Sequence, residues 1–201
     1  MLSPTKSLSK KESVAIIGSD ECLKGDTFGG IIVAALKASP KERELLLSLG
    51  VKDSKALTDT QILHLAPQLK EHFEHSIISL LPIEYNQKEG NVTMLLNKLH
   101  TAAAAKLKPG HHIVDEYPGC TVGDHHEQKA ESKYPEVAAA SILARAAALE
   151  QIDYLSILAG FTVPKGSTHV SEALKQLKIK RLPIPQFVKV DFKNVKEFFG
   201  R

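Results

Sequence analysis

The chain has only two cysteines among its 201 residues, and Cys22 and Cys120 lack the spacing of metal ligands. Two isolated cysteines do not make a disulfide framework and are typical of a reducing compartment. No apolar run approaches the roughly 20 residues of a membrane span, and the polar, basic residues 1–13 contain no hydrophobic signal segment. These absences exclude a disulfide-rich scaffold and a helical membrane protein, and we expect a cytoplasmic protein with no membrane partner.

The composition, 43% hydrophobic and 24% charged, is that of an ordinary globular protein. We expect a disordered basic arm over residues 1–13 and one domain over residues 14–201. The net charge is only +3, but residues 165–201 carry nine Lys/Arg and three Asp/Glu. Such a basic tail indicates either a polyanionic partner or a solvated surface, and charge alone leaves both open.

Apolar patterning predicts strands that alternate with helices after an initial hairpin. The strands are expected at 14–18, 28–37, 76–83 and 111–115, and the helices at 56–73, 91–107, 135–160, 168–178 and 193–199. A leading hairpin followed by strands separated by helices indicates an α/β domain with a mixed sheet.

Acidic residues follow several of the apolar segments. Asp20 and Glu21 come directly after the first strand, Asp115 ends another, and Glu150 lies among apolar residues late in the Ala-rich helix. Adjacent acids on a strand face opposite ways, but at a strand end this alternation relaxes, and both can line one site. Carboxylates suit Mg²⁺ or Mn²⁺, and a pair of such ions is typical of phosphodiester hydrolysis. Taken singly, each acid is more readily explained as an ordinary loop charge.

Five segments of the chain carry a family resemblance: GSDECLKGDTFGG (18–30), VKDSKALTD (51–59), AESKYPEVAAASILARAAALE (130–150), VPKGST (163–168) and KVDFKN (189–194). Together, and in this order over roughly residues 14–199, they resemble the type 2 ribonucleases H, and ribonuclease HIII in particular. The resemblance implies a ribonuclease H-like fold, a mixed sheet flanked by helices with a helical C-terminal extension. It also implies cleavage of the RNA strand of RNA–DNA hybrids, leaving 5′-phosphate and 3′-hydroxyl ends.

Carried over residue by residue, the resemblance makes Asp20, Glu21, Asp115 and Glu150 the catalytic carboxylates and the ligands of two Mg²⁺ or Mn²⁺ ions. Ribonuclease HII has Asp at the fourth position, whereas ribonuclease HIII has Glu, as this chain does at Glu150. One ion is expected to activate the attacking water, and the other to stabilise the leaving 3′-oxygen.

The same resemblance implies a set of substrate contacts. The backbone of Lys24 and Gly25 is expected to contact the ribose 2′-hydroxyl, because a glycine allows close approach. The remaining residues are expected at phosphates or along a strand backbone: Ser54, Lys55, Ser132, Lys133, Lys165, Lys189 and Lys193. For each lysine, a solvated surface charge is the alternative.

Two features depart from the family pattern. Leu23 stands where the family usually has Gly, so a left-handed backbone here would be strained. Ribonucleases HIII usually carry an N-terminal substrate-binding domain resembling a TATA-binding protein, but only about 13 residues precede the first strand here; natural absence and truncation both remain open.

We therefore expect a monomeric nuclease acting on RNA–DNA hybrids. A non-catalytic hybrid-binding protein and another two-metal nuclease are the alternatives.

Overall fold

Five strands form one mixed sheet in the structure, a computed structural model that describes residues 14–52, 54–166 and 168–200. The strands are β1 (Ile16–Cys22), β2 (Ile31–Ala38), β3 (Glu74–Leu80), β4 (His111–Asp115) and β5 (His125–Glu127). Their order is β3-β2-β1-β4-β5. The first three pair antiparallel, whereas β4 runs parallel to β1, and β5 runs parallel to β4. The predicted hairpin and mixed sheet are confirmed, while the expected arm at residues 1–13 lies outside the described residues.

Helices cover both faces of the sheet and continue into the C-terminal extension. They are α1 (Pro40–Ser48), α2 (Asp59–His72), α3 (Pro82–Tyr85), α4 (Val92–Ala105), α5 (Pro135–Ala159), α6 (Val170–Ile179) and α7 (Lys193–Phe199). Sequence patterning missed α1, although Ser39 and Glu42 form a capping box at its start. None of the described helices combines the length and apolar character that crossing a membrane requires.

The long Ala-rich helix α5 packs directly on β1, and a glycine in β1 makes this approach possible. A Cβ atom on Gly18 would lie 2.3 Å from the carbonyl carbon of Glu136 and from the amide nitrogen of Val137. On the other face of the sheet, Ile17 and Val33 pack with Leu96 and Ala103 of α4. The central strand is therefore enclosed between two helices, and its C-terminal end has a fixed position relative to both.

The C-terminal extension returns to the loop that follows β1. Phe28 and Val188 form an isolated antiparallel bridge, and the amide of Gly29 donates to the carbonyl of Phe187 at 3.1 Å. Phe28 and Val188 are both fully buried. This contact fixes the loop between β1 and β2 beside the end of the central strand.

We expect Gly18→Ala to destabilise the fold by at least about 3 kcal/mol, because the added methyl group collides with backbone that cannot move without displacing α5. Gly25→Ala is the matched control, since a Cβ atom at Gly25 meets nothing within 4 Å. Denaturant unfolding of both variants measures the difference. Equal stability of the two would show that α5 does not approach β1 as closely as described.

Candidate active site

Three of the four predicted carboxylates meet at the C-terminal ends of two neighbouring parallel strands. Asp20 and Glu21 lie near the end of β1, and Asp115 is the last residue of β4. The register aligns Ser19 with Val114, so Asp20 and Asp115 follow side by side. With Glu21, they line one cavity of about 410 Å³.

The pair Asp20–Glu21 is part of the strand rather than beyond it, which corrects the expectation of a relaxed strand end. Asp20 still pairs with Ala34, and Glu21 with Val33, so the two side chains take opposite faces. Asp20 hydrogen-bonds Ser141 of α5, whereas Glu21 approaches His100 of α4. Each helix therefore supports one of the two adjacent carboxylates.

The environment of Asp20 and Asp115 opposes their ionisation. Burial, reinforced by repulsion from Glu21 and Asp115, raises the pKa of Asp20 to about 8. Burial likewise raises the pKa of Asp115 to about 6, although its carboxylate accepts a hydrogen bond of 2.8 Å from the amide of Ala130. The cluster therefore stores unfavourable electrostatic energy whenever all its carboxylates are charged.

Glu21 is held by a buried polar chain that the sequence reading missed. Its Oε2 atom lies 3.3 Å from Nε2 of His100, and neither atom makes a hydrogen bond among the described residues. The Ser19 hydroxyl bridges Nδ1 of His100 at 2.8 Å and Nε2 of His112 at 2.7 Å. Burial would raise the pKa of Glu21, but His100 and Lys24 outweigh it and lower that pKa. Ser19 and Glu21 share a face of β1, a period-two relation visible in the sequence.

The acid that joins this cluster from outside the two strands is Glu131, which we did not predict. It lies in the 3₁₀ turn Ala130–Ser132, is buried and interacts with Asp115, so that each of the two acids shifts the pKa of the other. Burial acts to raise the pKa of Glu131, but Asp115 and Lys55, whose Nζ lies 3.1 Å away, lower it. The available signal was its place in the AESKY segment, directly before Ser132 and Lys133.

Glu150, the predicted fourth carboxylate, lies outside the cluster. Its side chain is 63% exposed, and its Oε1 atom lies 3.8 Å from Nζ of Lys70 in α2. Ser141, which faces the site from the same helix, is nine residues earlier, and nine residues at 3.6 per turn place two side chains on opposite faces. The exposed neighbours Asp153 and Tyr154 mark the same outward face.

Four of the predicted substrate contacts lie in or beside the cavity. Lys24, Ser54 and Lys55 line it, and Gly25 is exposed in the adjoining loop. The hydroxyl of Ser54 is buried and hydrogen-bonded to that of Ser141 at 2.7 Å, so a phosphate would have to displace that partner. The guanidinium of Arg145 donates to the carbonyls of Ser54 and Leu57 and thereby fixes this turn against α5.

Four other predicted contacts are exposed. Lys165 lines a second cavity, of about 370 Å³, that also includes Cys22, Leu23 and Arg145, and its ammonium contacts Asp59. Ser132 and Lys133 lie beyond Glu131, where Lys133 pairs with Glu127. Lys193 is 89% exposed, and its Nζ is 3.7 Å from Glu197.

The position of Lys189 excludes contact with a phosphate of the substrate. Its side chain is fully buried, and its ammonium donates to three backbone carbonyls, those of Leu23, Asp26 and Gly29. All three donors of the ammonium are thereby used inside the protein. The prediction that Lys189 contacts a strand backbone is wrong for this reason.

The donor chemistry of the cluster fits a hard divalent cation. The Oε2 atoms of Glu21 and Glu131 are buried without a hydrogen-bond partner, and such carboxylate oxygens are the ligands that Mg²⁺ and Mn²⁺ prefer. Within the described ranges, no three His, Cys, Asp or Glu side chains already converge tightly enough to enclose an ion. Instead, Lys24 and Lys55 lie against Glu21 and Glu131 and supply the nearby positive charge.

The raised pKa of Asp20 makes a prediction about stability without divalent cations. Its pKa is about 8 in the folded protein and 3.8 as the ordinary value. The folded state therefore binds the extra proton between these limits, and stability falls as pH rises from about 4 to about 8. We expect Asp20→Asn to remove this loss of stability between about pH 4 and about pH 8.

Thermal unfolding in EDTA at pH 5 and pH 8 tests this expectation. Asp20→Asn should be more stable than wild type at pH 8 by at least about 2 °C, the shift that about 1 kcal/mol produces in a chain of this size. The difference should shrink at pH 5. A variant that loses more stability at pH 8 than at pH 5 would contradict the raised pKa.

Comparison of the sequence and the fold with known proteins identifies relatives of this chain. Ribonuclease HIII of Streptococcus agalactiae serotype III is 32% identical over 216 residues, which cover 94% of this chain and 73% of that protein. Ribonuclease HIII of Bacillus mycoides is 35% identical over 217 residues, covering 93% and 69%. The crystal structure of Bst-RNase HIII in complex with Mn²⁺ superposes with a TM-score of 0.84 at 32% identity, covering 95% of this chain and 71% of that one.

The wider comparison gives the same family. Aquifex aeolicus RNase H3 superposes with a TM-score of 0.78 at 28% identity, over 90% of this chain and 74% of that one. The family model described as Ribonuclease HII matches residues 17–195. The chain therefore belongs to the type 2 ribonuclease H family, and its similarity within that family is to the ribonucleases HIII.

Proposed function

We propose that this protein is an endoribonuclease that hydrolyses the RNA strand of RNA–DNA hybrids and depends on Mg²⁺ or Mn²⁺. The observation that carries the proposal is a cavity lined by Asp20, Glu21 and Asp115, with the buried Glu131 interacting with Asp115, in a type 2 ribonuclease H fold. A protein that only bound hybrids would gain nothing from clustered negative charge beside phosphates. The cluster therefore favours the enzyme over the non-catalytic alternative.

The four carboxylates would hold the cations, with Glu131 in the place that sequence reading gave to Glu150. When bound, the two ions supply the charge that activates the attacking water and stabilises the leaving 3′-oxygen. Asp20 is oriented by Ser141 and Asp115 by the amide of Ala130. Nε2 of His100 lies 3.3 Å from Oε2 of Glu21 and would help to orient that side chain.

The loop after β1 would contact the ribose of the substrate. Gly25 is exposed, and no atom would contact a Cβ there, so a nucleic-acid backbone can approach the peptide groups of Lys24 and Gly25 closely. Peptide groups in this position can hydrogen-bond a ribose 2′-hydroxyl, the group that distinguishes RNA from DNA. Lys55 and Lys165 lie at the edges of the two adjoining cavities and supply positive charge for phosphates.

We also propose that the protein acts in the cytoplasm as a monomer. Cys22 and Cys120 are both free thiols, as expected in a reducing compartment.

The direct test is a cleavage assay on labelled RNA–DNA hybrid, double-stranded DNA and double-stranded RNA of one sequence, with Mg²⁺, Mn²⁺ or EDTA. We expect cleavage of the hybrid alone, and none in EDTA. Cleavage of double-stranded DNA at a comparable rate would favour another two-metal nuclease, and intact hybrid under all conditions would contradict the proposal.

The carboxylate assignment predicts a specific order among variants. Asp20→Asn and Asp115→Asn should each lower kcat at least about 100-fold, because stabilisation of transition-state charge by a metal ion contributes several kcal/mol. Glu131→Gln should lower it at least about tenfold. Glu150→Gln is the matched control and should stay within about twofold of wild type. Loss of activity in Glu150→Gln with full activity in Glu131→Gln would reverse the assignment.

A further inference from the structure

The buried ammonium of Lys189 has a role that neither surface charge nor catalysis explains. It donates to the carbonyl of Leu23 at 2.8 Å, to that of Gly29 at 3.1 Å and to that of Asp26. All three acceptors belong to residues 23–29. We call this segment the sugar loop, because the proposed contact with the ribose is made by the peptide groups of Lys24 and Gly25 within it. One fully buried cation thus binds the beginning, middle and end of a single short loop.

The number and kind of contacts match what a lysine can offer. An ammonium has three donors and no acceptor, and each donor here has a carbonyl partner. The ring centroids of Tyr85 and Phe192 lie 5.3 Å and 5.2 Å from Nζ, so both aromatic rings are close enough to interact with the ammonium. Burial lowers the pKa of Lys189 to about 8, an effect that the carboxylates of Asp26 and Asp191 oppose. Charge-assisted bonds to carbonyls offset the cost of burying the cation.

The sugar loop requires such a partner because its first residue is strained. Leu23 has φ of 65°, a left-handed conformation that side-chain-bearing residues rarely adopt. Its side chain is buried, close enough to Gly29 that a Cβ atom there would lie 2.7 Å from Leu23 Cδ1. Strained residues persist where their surroundings over-determine them, and the bond from Lys189 to the Leu23 carbonyl acts on this residue.

The segment that carries Lys189 is itself fixed. The amide of Lys189 donates to the carbonyl of Thr27 at 3.0 Å, and Nδ2 of Asn194 donates to Oγ1 of Thr27 at 2.8 Å. Asn86 donates to the carbonyl of Val188 at 2.8 Å and accepts from the amide of Val190 at 3.0 Å. The depth of the ammonium under the loop is therefore set by bonds on both sides of Lys189.

We propose that Lys189 is a positioning residue that holds the sugar loop in the conformation that recognises ribose, and so determines specificity for RNA over DNA. The inference rests on the proposed function, because it assigns to the peptide groups of Lys24 and Gly25 the contact with the 2′-hydroxyl. Lys189 acts only through the loop and touches neither the substrate nor the carboxylate cluster. Its loss is expected to affect recognition more than the chemical step.

The test compares Lys189→Met and Lys189→Gln with the control Lys196→Met. Methionine keeps most of the volume and removes every donor, whereas glutamine keeps two donors without the charge. Lys196 lies in α7 and is exposed, so its replacement removes the same charge without touching the loop. Circular dichroism first establishes the temperature range over which each variant is folded.

Two readouts separate positioning from a merely structural role. The first is kcat and KM on the hybrid, for which we expect Lys189→Met to raise KM about tenfold and to lower kcat less than about threefold. The second is the ratio of affinities for hybrid and for double-stranded DNA, measured in an Asp20→Asn background, which should fall at least about fivefold. A merely structural role would lower the melting temperature and leave KM and this ratio at wild-type values, and that result would overturn the proposal.

Amide hydrogen exchange provides the readout if Lys189→Met does not fold. The amide of Asp26 donates to the carbonyl of Leu23 at 3.2 Å within the loop, and Lys189→Gln should accelerate its exchange at least about tenfold relative to Lys196→Met. Unchanged exchange there would contradict the positioning role. Wild-type protein that does not cleave the hybrid would contradict the proposed function, whereas active wild type with unchanged specificity in the Lys189 variants would contradict this inference alone.

Discussion

Several carboxylates are shielded from water at the ends of two adjacent parallel strands. The surrounding structure supplies the contacts that stabilise them there. Neither burial nor mutual repulsion favours their ionised forms, which is why the pKa values of Asp20 and Asp115 are raised to about 8 and about 6. The fold offsets part of this cost with directed partners, namely Ser141 for Asp20, His100 for Glu21 and the amide of Ala130 for Asp115. Such an arrangement is stable enough to fold and becomes favourable when a divalent cation neutralises it.

Two cationic side chains fix the backbone on either side of this cluster. Arg145 donates to carbonyls of the turn at Ser54–Leu57, and Lys189 donates to carbonyls of the loop at 23–29. Both use side-chain donors on backbone acceptors, which sets the position of a loop without a regular ladder of hydrogen bonds. The cavity therefore has one wall determined by α5 and another determined by the C-terminal extension.

Residue patterns predicted the parts of this site that depend on strand ends and missed those that depend on turns. Asp20, Glu21 and Asp115 follow from apolar strands that end in acids, and the mixed sheet follows from a hairpin succeeded by alternating helices. Glu131 lies in a short 3₁₀ turn, where no periodicity indicates which side chain faces inward. The apolar neighbours of Glu150 indicated that it faces the site as the fourth carboxylate. The buried face of α5 is broad, however, so apolar neighbours do not define the direction of a side chain. Helical spacing from Ser141 places Glu150 on the opposite side of the helix. The burial of Lys189 depends on a contact across 160 residues or more, which local pattern cannot show.

We propose that Glu131, rather than Glu150, completes the group of carboxylates that would hold the divalent cation. Calorimetric titration of Mn²⁺ into wild type, Glu131→Gln and Glu150→Gln, without nucleic acid and at one pH near 8, distinguishes the two residues. We expect Glu131→Gln to weaken Mn²⁺ binding at least about tenfold, since a charged ligand is removed, and Glu150→Gln to bind Mn²⁺ as wild type does. Wild-type affinity in Glu131→Gln together with weakened binding in Glu150→Gln would show that Glu150 is the ligand instead.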